Sequence, residues 1–152
     1  MNLEARLKEL GLSLPVPPQP VAAYVPGIIS GNLVFVSGQL PTQNGELLYA
    51  GKVGQELTIE EGQAAARYCL LNGLAVVKSL IGSLDEVNQV VRLNGYVQTA
   101  AGFNQIPQVI NGASELLLEL FGEKGRHSRV AVGVASLPLG AAVEIDFIIA
   151  KK

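Results

Sequence analysis

The segment from Thr58 to Gly82 constrains the fold more than any other part of this chain. Thr58-Ile59-Glu60-Glu61 reads as a capping box: Thr58 caps a helix and Glu61, three residues on, reaches back to the cap. Ala66, Leu70, Leu74, Val77 and Ile81 follow at helical spacing, so the spacing predicts a helix over 59–81 with one apolar face. Gly82 supplies its stop. Such a face needs a sheet to cover, and the flanking sequence offers one.

Before the helix, residues 21–50 read as a β-meander. Val21–Tyr24 and Gly27–Ile29 flank a Pro-Gly kink, Ser30-Gly31-Asn32 turns, and Leu33–Ser37 is a buried strand ending at Gly38. Asn44-Gly45 is a hairpin signal, with Leu47-Leu48-Tyr49 as the return strand. After the helix, Leu84–Val87 connects to a β-rich run over 87–98. A second helix spans 106–121, with Pro107 in its first turn, Gly122 at its end and Val109, Ala113, Leu116, Leu117 and Leu120 as its buried stripe. A short charged loop over 122–128 leads to strands at 129–135 and 142–149, joined by a turn at Leu137–Gly140. Two helices on one face of a mixed sheet make a two-layer α+β domain. The other sheet face is expected to be largely apolar and to be hidden by oligomerisation.

The N-terminal stretch is different. Leu3, Leu7 and Leu10 mark a short amphipathic helix over 2–12, which Gly11 can end. Pro15, Pro17, Pro18 and Pro20 then force an extended linker. The organisation is therefore an appended helix and Pro-rich linker over 1–20, then one domain over 21–152, a usual size for a single core.

Composition removes several function classes. One cysteine, Cys69, and one histidine, His127, cannot supply the usual ligands of a zinc site. A lone cysteine also makes no internal disulfide and suits a reducing, cytoplasmic setting. Eleven Lys and Arg are scattered and outweighed by thirteen Asp and Glu, which leaves nucleic-acid binding little footing. The charged N-terminus does not read as a signal peptide, and no run is expected to span a membrane.

A few polar residues stand in apolar surroundings. Arg129 opens an apolar strand, where its guanidinium either clasps a carboxylate or forms a surface or interface ion pair. Glu144 lies within Ala141–Ile145, either paired with an arginine, positioning a water, or facing solvent in strand alternation. Asp146 shares its face. Asn111, beside the apolar stripe of the second helix, is a polar contact or simply solvated. Tyr24, beside Pro26-Gly27, is a lid or a core aromatic. His127 reads as a solvated loop residue and Cys69 as a buried, inert thiol.

Ser37-Gly38-Gln39-Leu40-Pro41 after a strand, Arg129 opening another, and Leu137-Pro138 followed by Val143-Glu144-Ile145 resemble the Rid family. It is also called the YjgF or reactive-intermediate-deaminase family, with the older label endoribonuclease L-PSP. The likeness covers about residues 20–151. It implies a chorismate-mutase-like α+β fold and a homotrimer with an inner β-barrel and clefts between subunits. It also implies hydrolysis of enamines and imines such as 2-aminoacrylate and 2-iminopropanoate to 2-keto acids and ammonia, without cofactor or metal. On this resemblance Arg129 holds the substrate carboxylate, Glu144 positions the hydrolytic water, and Tyr24 closes the cleft. Ser37 and Gly38 form its floor, and Asn111 matches the helix asparagine. The sequence departs from the family where Ala23 and Pro26 flank the tyrosine region, where His127-Ser128 replaces a common Pro-Ala, and where Ala131 replaces a frequent cysteine. The other reading for such a chain is a non-catalytic trimeric protein that binds a small imino or keto acid. A ribonuclease reading suffers from the lack of a cationic surface.

Overall fold

The computed structural model describes residues 2–20 and 22–152. In chain order its elements are α1 (Leu3–Glu9), β1 (Gly27–Ser30), β2 (Leu33–Gln39), β3 (Thr42–Gln43), β4 (Glu46–Leu47), α2 (Ile59–Ile81), β5 (Val87–Gln98), α3 (Ile106–Phe121), β6 (Ser128–Val134) and β7 (Val143–Lys151). Three short 3-10 turns, Leu84–Glu86, Gly122–Gly125 and Pro138–Gly140, link them. The main sheet runs β1-β2-β7-β5-β6. Its neighbours are antiparallel except β5 and β6, which run parallel with α3 crossing between them. The fold is α+β, as the sequence predicts.

The capping box forms as read. Thr58 Oγ1 accepts from the Glu61 N–H at 3.1 Å, and Glu61 Oε1 accepts from the Thr58 N–H at 3.1 Å. Such a cap is worth about 1 kcal/mol. Ala66, Leu70, Leu74 and Val77 are buried, with Ile81 half-buried, and α3 buries Val109, Ala113, Leu116, Leu117 and Leu120. Burial of α2 extends beyond one stripe because it meets both the sheet and α3. Gly112 permits that approach: a Cβ there would strike the Gln63 backbone. By length and composition α2 alone among the described helices is apolar enough to cross a membrane. Here its apolar residues lie in the core.

The meander is the part that differs most. Ala22–Tyr24, read as a strand with Val21, are bends; Val21 lies outside the described residues. Pairing starts only past Pro26, whose carbonyl accepts from the Ser37 N–H at 2.9 Å, and continues from Gly27 opposite Val36. The Asn44-Gly45 turn forms with both φ angles positive, as a tight hairpin demands. Yet its arms are two residues each and stand apart from the main sheet, so Tyr49 is not in a strand. The real partner of β2 is the last strand, β7.

The N-terminal helix is shorter than its periodicity suggested and docks on the helix layer. Leu3 and Leu7 are buried, the Leu3 N–H donates to Asp85 Oδ1 at 2.9 Å, and Arg6 Nε donates to the Glu119 carbonyl at 3.1 Å.

One face of the sheet carries both long helices and the other is open. The open face exposes Ile28 (58%), Phe35 (38%), Val130 (36%) and Val132 (40%). It is not simply apolar, however. A polar strip crosses its middle: Arg92 Nε donates to Asn94 Oδ1 at 3.1 Å, Asn94 Nδ2 donates to Asp146 Oδ1 at 2.7 Å, and Tyr96 stands opposite Glu144.

Candidate active site

The sequence-predicted residues fall into two groups at different places in the sheet. The first is built on the edge strand β6 and on α3. Arg129 pairs in register with Leu93, which pairs with Phe147; both partners are buried under the helices, so the Arg129 side chain points toward α3. There its Nη1 donates to Asn111 Oδ1 at 2.8 Å and to Ser114 Oγ at 3.1 Å. Asn111 and Ser114 are three apart on one helix and so share a face. Among the described residues Arg129 has no carboxylate partner, and its Nε and Nη2 make no hydrogen bond. A half-buried guanidinium, tied on one side and vacant along its other edge, is shaped to take a carboxylate bidentately. The surface ion-pair alternative finds no acid partner among the described residues.

His127 belongs to this group, which corrects its reading as a solvated loop residue. Its Nε2 lies 2.9 Å from Ser114 Oγ and its Nδ1 2.6 Å from the Gly125 carbonyl. Burial pushes its pKa down, partly opposed by the Gly125 bond, and the Arg129 charge pushes it down further. Sequence reasoning missed Ser114 altogether, although its spacing from Asn111 was a usable signal.

The second group lies on β2, β7 and the segment before β1. Between Val36 and Gln39 the β2–β7 register shifts, and Ser37 and Gly38 occupy that irregularity. Ser37 Oγ donates to the Val25 carbonyl at 2.7 Å, tying β2 to the Tyr24 segment. A Cβ on Gly38 would lie 2.5 Å from Glu144 Oε2, so only glycine leaves this carboxylate its place. Tyr24, Ser37 and Gly38 line a cavity of about 140 Å³ together with Pro20, Pro26 and Gln39. Tyr24 is mostly exposed, so it is no core aromatic. Glu144 is half-buried; burial raises its pKa, and the Asp146 charge raises it further. Burial and the Asp146 charge likewise raise the pKa of Tyr96.

These groups do not meet within one chain. Glu144 shares a register row with Tyr96 and Val132, three residues along β6 from Arg129 and two strands over. Ordinary strand spacing and rise put their backbones about 14 Å apart. They also point to opposite faces, because the buried Ile145 places Glu144 on the open side. Cys69 takes no part: it is fully buried, its Sγ lies 3.5 Å from the Val143 carbonyl, and burial holds its pKa well above the ordinary thiol value.

A family model described as "YjgF/chorismate_mutase-like, putative endoribonuclease" matches residues 4–151. Protein TCP17 of Trypanosoma cruzi is 46% identical over 149 residues, 97% of this chain and 93% of that protein. The crystal structure of Atu1372, a protein of unknown function from Agrobacterium tumefaciens, matches with a TM-score of 0.93 at 48% identity, covering 99% of this chain and 92% of that one. A 2-iminobutanoate/2-iminopropanoate deaminase of Dermatophagoides farinae is 29% identical over 140 residues, 91% of this chain and 93% of its own.

Proposed function

The chain belongs to the YjgF/chorismate-mutase-like family, and from that premise we propose that it hydrolyses small 2-imino acids to 2-keto acids and ammonia, in clefts between the copies of a homotrimer. The observation that carries the reading is Arg129: a cation without an acid partner among the described residues, held by Asn111 and Ser114 with its Nε/Nη2 edge vacant. A carboxylate-bearing substrate fits that edge. The similarity to a named imine deaminase supports the same class. The separation of Arg129 from Glu144 supports a site shared between copies, and the exposed apolar residues of the open face support assembly.

The chemistry then needs little machinery. An enamine such as 2-aminoacrylate first moves a proton from nitrogen to carbon and becomes the imine. Arg129 of one copy holds the carboxylate and fixes the C=N carbon. Glu144 of a neighbouring copy takes a proton from water as the water oxygen bonds to that carbon, and returns it to the nitrogen, giving the neutral carbinolamine. Glu144 then takes the carbinolamine's hydroxyl proton and passes it to the nitrogen as the C–N bond breaks, so that the keto acid forms and ammonia leaves. Water is consumed, and one keto acid and one ammonia are released. A carboxylate with a raised pKa suits a group that both accepts and returns a proton. Tyr24 and the Ser37-Gly38 turn close and floor the cleft.

The test is pyruvate formation from 2-aminoacrylate generated in situ by a serine dehydratase. The wild-type protein should accelerate it and Arg129→Ala should not. Saturable binding of a keto acid by wild type without acceleration would favour the non-catalytic binding reading instead.

A further inference from the structure

Arg129 is held by more than its two direct partners. Behind Ser114 stands His127, and behind His127 the Gly125 carbonyl, so four groups form one chain of hydrogen bonds. Its direction follows from donor chemistry. A carbonyl only accepts, so at 2.6 Å from Gly125 O it is His127 Nδ1 that carries the ring proton. The neutral Nε2 is then an acceptor, and Ser114 Oγ–H, 2.9 Å away, donates to it. A guanidinium only donates, so Ser114 Oγ accepts from Arg129 Nη1 at 3.1 Å. Every proton thus points away from Arg129 toward the Gly125 carbonyl.

We propose that Ser114 and His127 are positioning residues that set the carboxylate-receiving edge of Arg129, and that protonation of His127 disables them. The inference rests on the reading of Arg129 as a carboxylate clamp. Asn111 alone leaves the guanidinium free to swing about one hydrogen bond; Ser114 supplies the second, and neutral His127 fixes the Ser114 hydroxyl so that its lone pair faces Nη1. When His127 gains a proton, Nε2 becomes a donor. Ser114 must then turn its hydroxyl away, and a second cation stands one hydroxyl from Arg129.

The charged groups on the surrounding elements are Arg129 on β6, Arg92 on β5, Glu115 and Glu119 on α3, and Glu123, Lys124 and Arg126 on the 3-10 turn and its end. Arg126 and Glu123 pair with each other at 3.1 Å. Of all these, only the Arg129 charge acts appreciably on the ring. Burial and that charge favour neutral His127, so the arrangement is intact at neutral pH and fails below the ordinary histidine range. The unfolded chain binds the proton more readily, so this group's contribution to stability is present above about pH 6.5 and declines as the pH falls below it.

His127 is the only histidine in the chain, so its ring signals are unambiguous. Nitrogen-15 NMR of the assembled protein should show the neutral Nδ1–H tautomer at pH 7.5. The side-chain signals of Arg129 should move as His127 titrates. Ser114→Ala should raise the histidine pKa toward its ordinary value, raise KM for the imine about tenfold and leave kcat within about twofold. His127→Gln keeps an acceptor toward Ser114 but does not titrate. Its KM at pH 7.5 should stay within about threefold of wild type and remain flat on acidification, where the wild-type KM climbs. An Nε2–H tautomer at pH 7.5, a Ser114→Ala variant with unchanged histidine titration and KM, or a His127→Gln variant that keeps the wild-type pH dependence would overturn the proposal. Failure of the deaminase reading is separable. No turnover by wild type with the predicted tautomer and linked titration sinks that reading and leaves the hydrogen-bond chain standing. Arg129-dependent turnover with an Nε2–H ring does the reverse.

Discussion

The Arg129 region and the Glu144 region differ in how completely one chain builds them. Around Arg129 the chain supplies the cation, two acceptors on α3 and a histidine behind one of them, all on the helix-covered face. Around Glu144 it supplies a carboxylate lodged against Gly38 on the open face, with a raised pKa and, among the described residues, no ion pair to an arginine. The first region draws its hydrogen-bond partners from one chain. The second lies on the uncovered face of the sheet. That contrast is what a binding group and a proton-transfer group from different subunits would show.

Substitutions can break the contrast in order of expected effect. Arg129→Ala should remove imine hydrolysis, with a loss on the order of 10³-fold or more in kcat/KM, while Arg129→Lys retains a trace because a point charge cannot reproduce the fork. Steady-state kinetics across a substrate series reads both. Glu144→Gln should cost about 10²-fold, mainly in kcat, since it removes proton transfer but not carboxylate binding. The wild-type rate should fall as the pH drops through the Glu144 pKa, and that limb should lie above the ordinary glutamate value of 4.5. The stability sign is opposite. A folded-state carboxyl pKa above the unfolded one contributes stability below the unfolded value, and that contribution is lost as the pH rises through the folded value. Glu144→Gln should therefore be no less thermostable than wild type at pH 8, as calorimetry can check. Gly38→Ala places a methyl against Oε2 and should lower kcat about tenfold by displacing the carboxylate, with little change in Tm, because the flexible end of a side chain is what must yield. Smallest of all, Cys69 belongs to neither region. Native protein should resist iodoacetamide, and mass spectrometry should show labelling only after denaturation.

Local chemistry made part of this legible. The α2 cap, the Asn-Gly turn and Pro107 at the start of α3 are short-range devices, and each forms where the sequence put it. Pairings between distant strands were not legible. Nothing local to Leu33–Ser37 says that it joins Val143–Lys151, and the expected meander assumed sequential neighbours. The same holds at the site. Family likeness singles out Arg129 and Asn111, which the structure places in hydrogen-bond contact, whereas nothing local to His127 shows that its ring partner lies on the preceding helix, 13 residues back. Glu144 and Asp146 do share a face, and Asp146 is the acceptor that ends the Arg92–Asn94 strip. The polar character of that strip was hidden because each member sits in an apolar strand.

Mixing two impaired variants tests most directly whether one site draws on two copies. Arg129→Ala and Glu144→Gln are purified separately, dissociated, mixed in equal amounts, reassembled and assayed for imine hydrolysis beside wild type and each parent treated alike. A cleft that takes Arg129 from one subunit and Glu144 from the next regains about one intact site in four, so roughly a quarter of wild-type activity should return. A mixture no more active than its parents, when reassembled wild type is fully active, would contradict the account and return both groups to a single chain.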